Sequence, residues 1–216
     1  MSTALEELIR SPQLVRYYEQ IRDLLVAEQQ RRAEFYAQID EERKVEFING
    51  QMIFQSPVKL RYNNAARNLL VLLSVYSSHH QLGLVGFEKL LVTLTRNDYA
   101  PDICFFTAER AAEFSPDQMQ FPAPDFVAEV LLPSTEAIDR GVKFNDYAAH
   151  GVGEYWLIDP DTQTLEQFVL EGEAYSLLTK ARSGEVSSTA IPGFSLPIRA
   201  LFDPAEHARA LQRLAE

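Results

Sequence analysis

Two carboxylates sit in short apolar runs of this chain, where an isolated charge is costly. Asp102 opens Pro-Asp-Ile-Cys-Phe-Phe (101–106), and Glu129 lies in the middle of Pro-Asp-Phe-Val-Ala-Glu-Val-Leu-Leu (124–132). Each run begins at proline and is rich enough in β-branched and aromatic residues to read as a buried strand. A buried carboxylate has to be protonated, paired with a cation or bound to a metal, because desolvating an unpaired charge costs several kcal/mol. Glu46, in the β-rich stretch 45–55, is a third acid that belongs with them. Carboxylate oxygens suit Mg²⁺ or Mn²⁺, which take one or two of them and fill the remaining positions with water or phosphate oxygens. A metal so held polarises a phosphodiester and acidifies a bound water. A lysine beside it orients that water or offsets developing negative charge. Lys143, 14 residues after Glu129 and near the middle of the following helical segment, is the candidate, with Tyr147 one turn further on. Strand residues i and i+2 share a face, so position 131 would be the simplest place for a lysine partner of Glu129. Leu131 stands there, so the lysine must come from another element.

The elements that would hold these residues alternate between helix and strand. Residues 3–40 read as helical, with Leu14, Tyr17, Tyr18, Ile21, Leu24 and Leu25 at spacings of three and four, as in a docking or dimerisation helix. Asn49-Gly50 predicts a tight hairpin within 45–55, since both residues tolerate positive φ. A long helix is expected from Leu60 to Ser78, then strands over 84–87 and 90–95, and a polar, proline-containing loop over 107–124. After the Glu129 strand, Ser134 or Thr135 is expected to cap a helix that Gly151 ends. Glu154–Pro160 reads as a central strand, 164–170, 174–179 and 185–189 as a meander, and a short helix follows from about 203. The order predicts one α/β domain with a mixed central β-sheet flanked by helices. Its expected parts are an N-terminal helical extension (1–40), a main domain (41–200) and a C-terminal helix (201–216).

Composition narrows the function. With 46% apolar and 24% charged residues among 216, the chain has the make-up of an ordinary globular protein. No apolar run approaches a membrane span and the start lacks a secretory signal pattern, so the expected location is cytoplasmic, without membrane association. Cys104 is the only cysteine, which excludes an intrachain disulfide and a cysteine-based zinc cluster. The net charge of −11 and the dispersed basic residues argue against strong nonspecific nucleic-acid binding, which draws on clustered Lys and Arg. Glu88-Lys89 reads as a surface pair rather than a pair reaching the cleft from a hairpin, Asp125 as a strand-edge acid, and Tyr155 and Trp156 as core anchors.

Pro-Asp followed by an acid on a second strand resembles the pattern of the PD-(D/E)XK nuclease superfamily. The chain is more specifically similar to the Uma2 family, once catalogued as domain of unknown function 820. The matching residues are Glu46 with Asn49-Gly50, Ser56-Pro57, Pro101-Asp102, Pro124-Asp125, Glu129-Val130-Leu131, Pro133-Ser134-Thr135, Asp139, Lys143, Tyr147, Gly151-Val152 and Glu154 to Pro160. Two positions depart from the family's habit: Leu132 stands for a usual Ser, and Asn63-Asn64 for a His.

The resemblance implies a restriction-endonuclease-like core with Mg²⁺ or Mn²⁺ at Asp102 and Glu129 and the Val130 carbonyl as a further ligand. It also implies Glu46 in support of the metal and a lysine moved from strand to helix, Lys143, that assists the attacking water. The expected activity is endonucleolytic hydrolysis of DNA, and a homodimer is expected from the N-terminal helix and the family's habit. The competing readings are a binding or interaction module that keeps the nuclease fold without catalysis, and a metal-dependent hydrolase of another phosphate ester.

Overall fold

A computed structural model of the chain describes residues 3–40 and 43–214; positions 1–2, 41–42 and 215–216, where the expected segments begin or end, lie outside them. The N-terminal helical stretch is two helices, α1 (Thr3–Arg10) and α2 (Leu14–Gln38). The break falls at Pro12, whose ring and missing N–H oppose continuation of a helix. In its N-terminal half α2 exposes Leu14, Val15, Tyr18, Ile21 and Leu25, whereas Phe35 near its C-terminus is fully buried.

Strands β1 (Val45–Ile48) and β2 (Gln51–Phe54) form the expected hairpin. Asn49 and Gly50 both adopt positive φ, 49° and 79°, as the turn requires. Helix α3 (Leu60–His80) ends where Gln81 turns left-handed, and β3 (Gly83–Phe87), β4 (Leu91–Thr93), β5 (Asp98–Tyr99) and β6 (Ile103–Thr107) follow. Gly83 is obligatory at its place: a Cβ there would lie 2.0 Å from the Phe106 carbonyl. The stretch expected as loop over 107–124 carries a short helix α4 (Ala108–Ala111) and a two-residue strand β7 (Gln120–Phe121), which pairs parallel with β4. Elements this short leave no periodicity to read.

Strand β8 (Phe126–Val130) leads to α5 (Glu136–Ile138), a π-helical turn (Asp139–Lys143) and α6 (Phe144–Ala149). Thr135 precedes α5 but makes no side-chain cap bond, contrary to expectation; its Oγ1 donates to Asp139 Oδ2 at 3.1 Å instead. The chain then forms β9 (Glu154–Asp159), β10 (Thr164–Glu171), β11 (Ala174–Ala181), β12 (Glu185–Ser187), β13 (Ser195–Pro197), a 3₁₀ turn (Ile198–Leu201) and α7 (Pro204–Leu214).

The main sheet is mixed, in the order β11-β10-β9-β8-β6-β3, with β8 and β9 parallel and the other neighbours antiparallel. A second sheet, β2-β1-β5-β4-β7, stands beside it. The expected meander stops at β11, because β12 pairs with β13 in a separate ribbon.

Both faces of the main sheet are covered, which is why its central strands read as continuous apolar runs. Phe126, Ala128, Val130, Trp156 and Ile158 face α3 and α7, while Val127, Leu131, Tyr155 and Leu157 face the α6 side. Each fully buried Phe or Leu contributes about 1.5–3 kcal/mol relative to exposure. Glu129 alternates with Val127 and Leu131, so its carboxylate points into the second, α6-side layer.

Candidate metal centre

The β6–β8 ladder ends at Ile103↔Ala128, and continuing the register by one residue sets Asp102 opposite Glu129. Side chains replace the ladder there. The Val130 N–H donates to Asp102 Oδ2 at 2.8 Å, and the Asp102 N–H donates to Glu129 Oε2 at 3.2 Å. Proline at 101 has no N–H to carry the pairing further. The sheet therefore opens at these two carboxylates.

Glu46 reaches the same place from β1. Its Oε1 accepts from the Ala100 N–H at 3.0 Å and its Oε2 from Gln55 Nε2 at 3.0 Å. Lys143 enters from the π-helical turn. Its ammonium lies 2.9 Å from Glu46 Oε1, 3.0 Å from Glu129 Oε1 and 3.2 Å from Asp139 Oδ1. The wider π turn brings Asp139 and Lys143 onto one inward side and frees the Asp139 carbonyl, which accepts from Tyr155 Oη at 3.0 Å. Lys143 and its three acids are all buried.

Lys44, one residue before β1, supplies a second cation. Its Nζ lies 2.7 Å from Asp102 Oδ1 and 3.3 Å from Glu88 Oε2. Asp102 and Lys44 keep 20% and 13% of their side chains exposed, and both line a cleft of about 510 Å³ together with Arg43, Gln55, Glu88 and Val130. Lys143 and Glu129 lie behind that wall. Of the residues expected from the sequence, Glu46, Asp102, Glu129, Val130 and Lys143 thus converge. Lys44 was not expected, and Glu88 was expected at the surface rather than at the cleft. Lys44 stands two residues before Glu46, and that spacing was the available signal for a shared strand face. Glu88 escaped as a surface residue because the turn after β3 carries it to the cleft only in three dimensions. Asp125 pairs with Arg110 at 2.8 Å, away from this group.

The electrostatics are lopsided. Among the described residues, five carboxylates (Glu46, Glu88, Asp102, Glu129, Asp139) surround two ammoniums. Burial pushes Glu129 up to about 8; Lys143 opposes the shift, while Asp102, Asp139 and Glu46 add to it. Burial acts to lower Lys143, but Glu129, Glu46 and Asp139 outweigh it and hold the ammonium charged. An excess of hard oxygen donors beside a cleft suits a divalent cation, whose charge favours their ionised forms. Among the described residues no three His, Cys, Asp or Glu converge as a ready-made cage, but Mg²⁺ needs only one or two carboxylates. Asp102 and Glu129 meet that requirement, and Val130 lies against both.

The family model for Uma2, described as "Putative restriction endonuclease", matches residues 32–199. The chain belongs to the Uma2 family. This Uma2 chain is also similar to the crystal structure of "a putative nuclease belonging to DUF820" from Anabaena variabilis, with a TM-score of 0.68 and 20% identity over 81% of this chain and 97% of that one. At that identity the likeness establishes the fold, a nuclease-like α/β architecture. Among curated proteins none matches. The family supports a nuclease. Among the described residues of this Uma2 protein, no helix is long and apolar enough to cross a membrane.

Proposed function

We propose that this Uma2 protein is a divalent-metal-dependent endonuclease that hydrolyses DNA phosphodiester bonds. The reading rests chiefly on one observation, the opposed Asp102 and Glu129 carboxylates where the main sheet opens, Asp102 lining the cleft and Glu129 directly behind it. Asp102, Glu129 and the Val130 carbonyl would hold Mg²⁺ or Mn²⁺, with Glu46 supporting them. The metal, when bound, supplies Lewis acidity to the phosphate and acidifies a water. Arg43 and Lys44 line the cleft beside Glu88 and Asp102, and such cations are what a phosphate backbone contacts. Lys143 fixes the Glu129 and Glu46 carboxylates and so acts on the attacking water through them. The catalytic unit is residues 41–200, onto which α7 and the C-terminal part of α2 pack.

The test is cleavage of plasmid and duplex oligonucleotides with Mg²⁺ or Mn²⁺. Wild type is expected to cut and Asp102→Ala to lose at least about 100-fold in rate, the scale seen when a major electrostatic contributor is removed. Cleavage that survives in Asp102→Ala would sink the assignment.

A silent binding module is the second reading. It is favoured by the fact that both ligand carboxylates already have ammonium partners, Lys44 on Asp102 and Lys143 on Glu129. In that case wild type neither cuts DNA nor takes up Mn²⁺ in calorimetry.

We also propose a homodimer through the apolar stripe of α2, where Leu14, Tyr18, Ile21 and Leu25 recur at coiled-coil spacing and stand exposed. Sedimentation is expected to give a dimer for wild type and a monomer for Ile21→Glu. A monomeric wild type would refute it.

A further inference from the structure

The family resemblance directs attention to Lys143, yet Lys143 has nothing left to offer a substrate. An ammonium carries three N–H donors, and each of its three is faced by a buried carboxylate within 3.2 Å. To touch a phosphate or its attacking water, Lys143 would have to abandon one of them in a dry environment. It does not line the cleft.

Lys44 differs on each count. It lines the cleft beside Asp102, Arg43 and Val130. Among the described residues two carboxylates engage it, Asp102 at 2.7 Å and Glu88 at 3.3 Å, against three donors on the ammonium. Its backbone stands immediately before β1, two residues from Glu46, and its ion pairs to Asp102 and Glu88 place the ammonium at the cleft wall. Lys44 also lines a second, smaller cavity, with Arg43, Lys89 and Phe121. Lys44 therefore borders two open spaces, beside Asp102 and Glu88, the two carboxylates of the group that line the cleft.

Resting on the nuclease reading, we propose that Lys44 is the lysine that touches the substrate: it binds a non-bridging oxygen of the phosphodiester seated against Asp102. In the hydrolysis, a water oxygen forms a new bond to phosphorus. The bond from phosphorus to the leaving sugar oxygen breaks, its electron pair going to that oxygen. One water hydrogen ends on the leaving oxygen and the other stays on the new phosphate monoester until that ionises. Lys44 remains an ammonium throughout. It offsets the charge that grows on the phosphoryl oxygens, as preorganised donors do best in a partly dehydrated cleft. Lys143 is then a positioning residue for Glu46 and Glu129.

Lys44→Met and Lys44→Arg test this by two readouts in the full chain. Cleavage of a duplex with Mn²⁺ is expected to fall at least about 100-fold in Lys44→Met, chiefly in kcat, with partial recovery in Lys44→Arg. The second readout is equilibrium binding of the same duplex in EDTA, by anisotropy, across a range of salt. Losing one phosphate contact lowers the slope of log K against log salt by about one in Lys44→Met. Circular dichroism melts establish that the variants fold.

An unchanged salt slope overturns the proposal whatever the rate does. Wild-type cleavage with Lys44→Met within about threefold of it also overturns the proposal, and leaves the nuclease reading standing. A wild type that binds the duplex with a Lys44-dependent slope but never cuts it supports the Lys44 contact and defeats the nuclease reading. A wild type that neither binds nor cuts defeats both.

Discussion

Replacing Lys143 by Met is expected to destabilise the metal-free protein by about 3–5 kcal/mol, the usual consequence of removing one member of a buried charge group. For a chain of this length that is roughly 10 °C in Tm. Met keeps most of the aliphatic stem, so the loss reports the charge. Glu46, Glu129 and Asp139 would then face one another in a dry interior with no cation between them.

The pH dependence has a definite sign. Glu129, raised by burial and its neighbouring acids to about 8, keeps its proton in the folded state over a range in which the unfolded chain, near 4.5, has lost it. The stability from that retained proton is fully present below the unfolded value and is lost as pH rises through the folded one. Metal-free wild type should therefore melt lower above pH 8 than at about pH 6. Without Lys143 the acids hold their protons more tightly, so the deficit of the variant grows with pH over the same window. Glu129→Gln added to Lys143→Met should recover part of it. Melts in EDTA at several pH values check this; a Lys143→Met protein as stable as wild type at alkaline pH would refute the buried role.

Arg32→Met is expected to have an effect of similar size, about 3–5 kcal/mol. Arg32 donates through Nε to Asp98 Oδ2 at 2.6 Å and through Nη2 to Asp98 Oδ1 at 2.9 Å. It also donates to the Leu94 and Thr95 carbonyls, at 2.7 and 3.0 Å. Asp98 is completely buried, and its remaining side-chain partner is Tyr36 Oη at 2.7 Å. Removing the guanidinium strands that carboxylate and unfastens α2 from the turn between β4 and β5. Strand β5 leads directly through Ala100 to Asp102, so loss of activity is expected to accompany loss of stability. Chemical denaturation of Arg32→Met, Asp98→Asn and the pair measures the coupling. Additive single losses would show that the two residues do not act together.

The comparison of sequence and structure is sharpest at the site itself. Asp102 and Glu129 were legible because each interrupts an apolar run, and a buried acid demands a partner. Asn49-Gly50 fixed a hairpin through positive φ alone. The long α3 and the central β9 were legible through length and composition. The π-helical turn was not, because widening one helical turn leaves no mark on apolar periodicity. Nor were α4 and β7, which are too short to carry any. The break at Pro12 was present in the chain but outweighed by the apolar spacing on either side.

By itself, then, the sequence determined which residue types were available and which strands would be buried on both faces. Hydrophobic alternation and acid placement are local properties, so a linear chain displays them. Tertiary structure alone decided which lysine faces water. Lys143 and Lys44 are chemically identical, and neither sequence neighbourhood tells which of them is buried. The difference arises because the π turn drives one ammonium among three buried carboxylates, while the start of β1 leaves the other at the mouth of the cleft against Asp102. Desolvation and pairing depend on what other segments bring close, and residues 44, 88, 102, 129 and 143 meet only when two sheets and a helix have come together.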